Sequence, residues 1–142
     1  MWLAALVLMP ASALGGAPIN ENKPFAEHFI VLQLSDADSA KHALVLSVAY
    51  NLLAHYGPDL VDIVVVAFGP GIEMVFADYK NVTKVNSLVT QGVRFVGCRN
   101  TIETITRKTG DKPELNSRII LVQTGAAYIL ELIEQGYTLI RP

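Results

Sequence analysis

The chain has a single cysteine, Cys98, among 142 residues. One cysteine excludes an internal disulfide and a cysteine metal cage. Charge is scarce too: charged residues make up 17% of the chain, against 51% hydrophobic. Lys and Arg number 11 and Asp and Glu 13, a formal net charge of -2. With no basic patch and no RNA-binding signature, nucleic acid is not expected as a partner. His28, His42 and His55 are too scattered for a metal site read from spacing. No metal and no organic cofactor is expected. Long apolar runs are also missing. Trp2 to Met9 is apolar but stops at Pro10, too short for a helix that spans a bilayer. The chain shows no internal repeat and no low-complexity linker.

What is present begins with high apolar content, above that of a typical soluble domain. The length suits one domain with a real core. Strands buried on both faces account for part of the excess, and an apolar oligomer surface is a further source. Residues 1–17 form a separate segment. Ala11-Ser12-Ala13 and Gly15-Gly16-Ala17 have the small-x-small form of a signal-peptidase site. With the apolar run before them they resemble a secretory signal that lacks a basic n-region. The alternative is a plain apolar tail. On the first reading the mature chain starts near Ala13 and is exported, for example to a periplasm; on the second it is cytoplasmic. An exported chain with an odd cysteine carries a free thiol or an intermolecular bond.

Residues 18–142 read as one domain of alternating strands and helices. His28 to Leu34 is a nearly continuous apolar strand, as expected when helices cover both sheet faces. Val45, Val48, Ala49, Leu52, Leu53 and Tyr56 recur at helical spacing, and Gly57-Pro58 stops that helix. Val61 to Phe68 is the second and clearest strand. A short apolar helix, Ile72 to Phe76, and a second helix, Val82 to Gln91, follow it. The third strand ends at Cys98, and its helix turns Ile102 and Ile105 inward. Arg118 to Val122 is a fourth strand, Thr124 caps a last helix, and Tyr137 to Ile140 is a short fifth strand. Crossovers of this length predict a three-layer α/β/α fold with an open, mainly parallel five-stranded sheet.

In such sheets chemistry sits beyond the C-terminal ends of the strands. Those ends are Ser35-Asp36, Gly69-Pro70-Gly71, Cys98-Arg99-Asn100 and Gln123-Thr124-Gly125. Asn100 is placed to cap the next helix, with Glu103 three residues on as a capping-box acid. Cys98 then lies near a helix N-terminus, where N–H groups and the dipole favour a thiolate. The dipole contributes roughly 0.3–1 kcal/mol at an exposed site, less than about one pKa unit. Arg99 adds to this if it turns toward the sulfur. The plain alternative is a cysteine that packs as a small hydrophobe.

Other motifs have ordinary explanations beside the chemical ones. Gly69-Pro70-Gly71 lets backbone N–H groups approach an anion, but a tight strand-to-helix turn explains it as well. It is neither a dinucleotide fingerprint nor a P-loop. Asp36 and Asp38 are candidate acids or bases, with helix capping as the default. His42 and His55 fall on the first helix as surface or boundary residues. Asn81-Val82-Thr83 matches an N-glycosylation sequon by only three residues.

The ordered set of motifs resembles the DsrE/DsrF-like family of sulfur-relay proteins (YchN-like), from the first strand to the C-terminus. The marks are Leu34-Ser35-Asp36, Asn51-Leu52-Leu53, Ala67 to Gly71 and Glu131 to Tyr137, and above all Gly92 to Thr101. The resemblance implies homo-oligomers such as trimers or hexamers, and a rim cysteine that carries a persulfide. Cys98 matches that cysteine, and Asn100 and Thr101 match residues that follow it. Export departs from the cytoplasmic setting of the well-studied relays.

Three functions follow for testing. As a sulfur carrier or sulfurtransferase, Cys98 takes sulfur from a sulfane-sulfur donor and passes it to an acceptor thiol. As a non-catalytic binding module, the rim holds a small anion, and Gly69, Gly71 and Asn100 supply donors. As a redox sensor, Cys98 oxidises, and any disulfide is with another molecule.

Overall fold

The computed structural model describes residues 20–142. The segment 1–17, and with it the basis for export, lies outside the described residues. The elements are β1 (His28–Leu34), α1 (Ser39–Tyr56), β2 (Val61–Ala67), a 3-10 helix (Gly69–Val75), α2 (Val82–Thr90), β3 (Arg94–Cys98), α3 (Arg99–Thr109), β4 (Ile120–Val122), α4 (Gly125–Glu134) and β5 (Thr138–Ile140). All pairings among the five strands are parallel, in the order β4-β3-β2-β1-β5. The fold is therefore three-layered α/β/α. The expected Ile72–Phe76 helix is a 3-10 turn that begins at Gly69. The fourth strand is shorter than expected because the backbone N–H groups of Arg118 and Ile119 donate to the side chain and the carbonyl of Asn116 instead of the ladder.

β2 is the central strand, and all seven of its residues are buried. A strand covered on both faces has no solvent side to fill with polar residues, so its apolar run is nearly unbroken. On one face Ile63, Val65 and Phe95 pack against Val45, Ala49 and Leu53 of α1 and Val85 and Leu88 of α2. On the other face Val64, Val66 and Val96 pack against Ile129 and Leu132 of α4. α3 lies on the α1 side, where Ile102 and Ile105 pack with Ala67 and Leu121. Burying a single aliphatic side chain of this kind contributes about 1.5–3 kcal/mol.

The strand order decides where the two halves part. Each step from β1 to β4 moves one way along the sheet, and the last crossover returns to the far edge for β5. α3 therefore leaves the end of β3 toward one face, while α4 leaves the end of β4 toward the other. β3 and β4 are neighbours, with Cys98 opposite Val122. The crevice between two such diverging connections is the usual ligand position of an open parallel sheet. Cys98 stands at its edge. No helix among the described residues is long and apolar enough to cross a membrane.

Candidate functional site

β3 passes into α3 without a loop. Cys98 is itself the N-cap residue, extended at φ -81 and ψ 115, and Arg99 is the first helical residue. This corrects the expectation that Asn100 caps the helix. Asn100 is already helical, and Glu103 is too far along for a capping box. Its side chain instead crosses the crevice. Nδ2 donates to Thr124 Oγ1 at 3.1 Å, and Oδ1 accepts from Gln123 Nε2. The backbone N–H of Asn100 donates to the Gln123 carbonyl at 3.2 Å. Asn100 thus ties the start of α3 to the start of α4.

Cys98 holds the N-cap position, but its sulfur makes no capping hydrogen bond there. Burial pushes the Cys98 thiol up. The Thr101 hydroxyl and the backbone N–H groups of Gly125, Thr101 and Asn100 outweigh burial and hold it below its ordinary value. Two helix starts therefore lie beside one thiol. Asn100 and Thr101 belong to the first turn of α3, and Gly125 opens α4. In the thiol form Sγ donates to the Gln123 carbonyl at 3.6 Å. Thr101 Oγ1 accepts from the Gly69 N–H at 3.0 Å, which leaves its own proton for the sulfur. Hydrogen bonds in such a chain polarise one another.

Gly125 makes this approach possible. A Cβ there would lie 3.1 Å from Phe68 Cβ and 3.3 Å from Cys98 Cβ. A side chain there would need a few tenths of an ångström of give from Phe68 or Cys98. Cys98 itself is only 5% exposed. A reagent reaches the sulfur along the crevice rather than across open surface.

The remaining expected residues divide. Gly69 has φ +54 and makes the tight turn, and its N–H is spent on Thr101. Gly71 is buried, and its N–H bonds the Phe68 carbonyl at 3.1 Å. A Cβ on Gly71 would collide with the Leu34 carbonyl, so this glycine lets the 3-10 helix press on the end of β1. Arg99 is exposed and lines a cavity on the outer side of α3. It is not among the groups acting on the thiolate. Ser35 and Asp36 sit beyond β1, two strands from Cys98. Ser35 Oγ accepts from Gln33 at 3.3 Å, and Asp36 lies 3.7 Å from Arg141. The structure thus gathers Cys98, Asn100, Thr101 and Gly69, and leaves Arg99, Gly71, Ser35 and Asp36 apart from the sulfur.

His42, expected at the surface or boundary, is buried at 2% exposure, with Nε2 2.6 Å from the Asp36 carbonyl oxygen. It lies three and four residues before Val45 and Leu46, so it extends their buried stripe by one turn. Asp38 caps α1, accepting from the Ala40 N–H at 2.8 Å. Sequence reasoning did not see the role of Gly125. Gly125 opens α4, outside the helix interior where glycine is costly, so no local signal marks it.

No protein-family model matches the chain, and no curated protein matches it. The fold is similar to a solved structure of a protein of unknown function, MTH1491 from Methanobacterium thermoautotrophicum. The two are 28% identical with a TM-score of 0.73, and the match covers 82% of this chain and 100% of that one.

Proposed function

We propose that the protein is a sulfur carrier of the DsrE/DsrF-like kind, with Cys98 as the residue that holds the sulfur. The observation that carries this reading is the placement of Cys98 at the N-cap of α3 and beside the start of α4, with the thiol held below its ordinary value. Such a sulfur is a thiolate at a lower pH than a free cysteine, and the thiolate is the attacking form. With thiosulfate as donor, the thiolate attacks the outer sulfur. A new S–S bond forms on Cys98, the old one breaks, and sulfite departs with its electron pair. An acceptor thiolate then attacks the outer sulfur of the Cys98 persulfide, takes it, and regenerates the Cys98 thiolate. No net oxidation occurs, and the chain needs no metal or organic group for either step. The same N–H groups that favour the thiolate favour the persulfide anion.

Assembly into trimers or hexamers belongs to the same proposal. Leu130 and Ile133 on α4, Ile120 on β4 and Leu139 on β5 are exposed apolar residues that support it. Export rests on residues 1–17 alone.

The test is intact mass after exposure to thiosulfate or polysulfide, before and after a reductant. A reversible gain of whole sulfur atoms is expected in the parent and is lost in Cys98→Ser, with fold and assembly retained. Equal loading of the serine variant removes Cys98 from the role. The 5% exposure of Cys98 favours a packing cysteine as the second reading. That reading gains if the folded thiol neither loads sulfur nor alkylates.

A further inference from the structure

Beside the first turns of α3 lies a cavity of about 410 Å³, within the range of small-molecule sites. Its floor is apolar: Ile102 of α3, Leu115 of the loop before β4, and Leu121 of β4. Its rim is basic. Arg99 and Arg107 come from α3 and Lys112 from the following loop, against the single carboxylate of Glu103. Thr104 Oγ1 accepts from Arg107 Nη2 at 3.1 Å and steadies that guanidinium. In a chain of net charge -2, three cations around an apolar hollow are a local reversal of sign. Cys98 packs in the same apolar cluster as Ile102, Leu115 and Leu121 but does not itself line the cavity.

We propose that this cavity binds a small organic anion, its apolar part on Ile102, Leu115 and Leu121 and its charged head between Arg99, Arg107 and Lys112. The apolar floor selects an organic ligand over an inorganic ion. Arginine forks match both carboxylate and phosphate oxygens, so the head group is either. The site does not depend on the sulfur chemistry of Cys98.

The test uses octanoate, octylphosphonate and the neutral octanamide as probes, titrated into the full-length Cys98→Ser protein so that no sulfur chemistry contributes. Calorimetry gives affinity, and backbone amide shifts locate it. The expected result is saturable binding of at least one anion, with shifts at Ile102 and Leu121. Octanamide is expected to bind at least about tenfold more weakly. The double variant Arg107→Ala/Lys112→Ala is expected to lose about tenfold in affinity for the anion. Both residues are exposed, and an unchanged thermal midpoint verifies that the variant folds. Stronger binding of the phosphonate or of the octanoate assigns the head group. No saturable binding, equal binding of octanamide, or unchanged affinity in the double variant overturns the proposal. Because the titration contains no reactive cysteine, its failure leaves the sulfur-carrier reading untouched, and failure of sulfur loading leaves the cavity untouched.

Discussion

The two ends of the sheet handle buried polarity in opposite ways. At the C-terminal strand ends, Cys98 is stabilised as an anion by uncharged N–H groups. At the N-terminal strand ends, full charges are buried together. Asp62 is completely buried, and its Oδ2 accepts from Arg94 at 2.9 Å, Tyr137 at 2.6 Å and Asn20 at 3.0 Å. Lys23 is also buried and donates to the carbonyls of Val61 at 3.0 Å, Gln91 at 3.2 Å and Pro58. Burial pulls the Lys23 amine below its ordinary value, while Asp62 and Asp59 pull it back. Gln91 is the residue that ends α2. The difference follows from the polarity of a parallel α/β fold. Helices start at the C-terminal ends of the strands and present N–H groups there, and they finish at the other end and present carbonyls. An anion is favoured at the first end and a cation at the second. The first end holds the cysteine, and the other pins residues 20–23 beneath the sheet.

The largest expected effect breaks the lower end alone. Asp62→Ala strands the Arg94 guanidinium; loss of one partner of a buried pair costs about 3–5 kcal/mol, and with the Arg94 side chain 26% exposed the lower part of that range is expected. Denaturant unfolding measures the loss. The pH midpoint of Cys98 alkylation stays where it was. A midpoint that moves with the stability means that the two ends are coupled, and the comparison fails.

Tyr137→Phe sharpens the same end. Hydrogen bonds to charged groups contribute about 1.5–3 kcal/mol, and this one ends on Asp62. Burial and the Asp62 carboxylate hold the Tyr137 phenol well above its ordinary value. Its contribution is therefore fully present below the unfolded value of about 10 and is lost as pH rises above it, toward the folded value. The parent is expected to lose stability above about pH 10, and the phenylalanine variant to lose less over the same window. Parallel losses in both proteins assign the alkaline fall to other groups.

Thr101→Val acts on the upper end. It removes a donor to the sulfur and the acceptor of the Gly69 N–H. The alkylation midpoint is expected to rise toward the free-thiol value of about 8.5. An unpaired N–H costs about 1–3 kcal/mol where it is buried. Gly69 is half-buried, so the lower part of that range applies. An unmoved midpoint would show that the backbone N–H groups suffice without the hydroxyl. The smallest effect is Arg141→Ala. Its ion pair with Asp36 spans 3.7 Å between partly exposed side chains, and such pairs contribute about 0–1 kcal/mol. Stability and Cys98 alkylation are both expected to stay nearly constant, which marks this part of the rim as outside the site.

Most of the fold was legible in the sequence. Unbroken apolar runs marked the buried strands, and glycine stops marked the helix ends. The position of Cys98 at a strand end was legible for the same reason. Three features were not. Asn100 with Glu103 three residues on is a good local signal for a cap, but the strand passes into the helix two residues earlier. Arg99 was read toward the sulfur because it adjoins Cys98, yet neighbouring residues on a helix point about 100° apart. Asp62 stood as one acid in an apolar strand, and its partners Arg94 and Tyr137 lie 32 and 75 residues away.

Sequence alone determined the order of strands and helices, the parallel layered architecture and the end of the sheet on which the cysteine lies. Those depend on local periodicity and on the short list of connections a parallel sheet permits. Only the tertiary structure decided that α3 and α4 part on either side of Cys98, that Gly125 packs closely against Phe68 and Cys98, and that Lys23, Asp62, Arg94 and Tyr137 meet at the opposite end. These are meetings between residues distant in the chain. Their free energies depend on burial and on angstrom-scale distances, which no local pattern encodes.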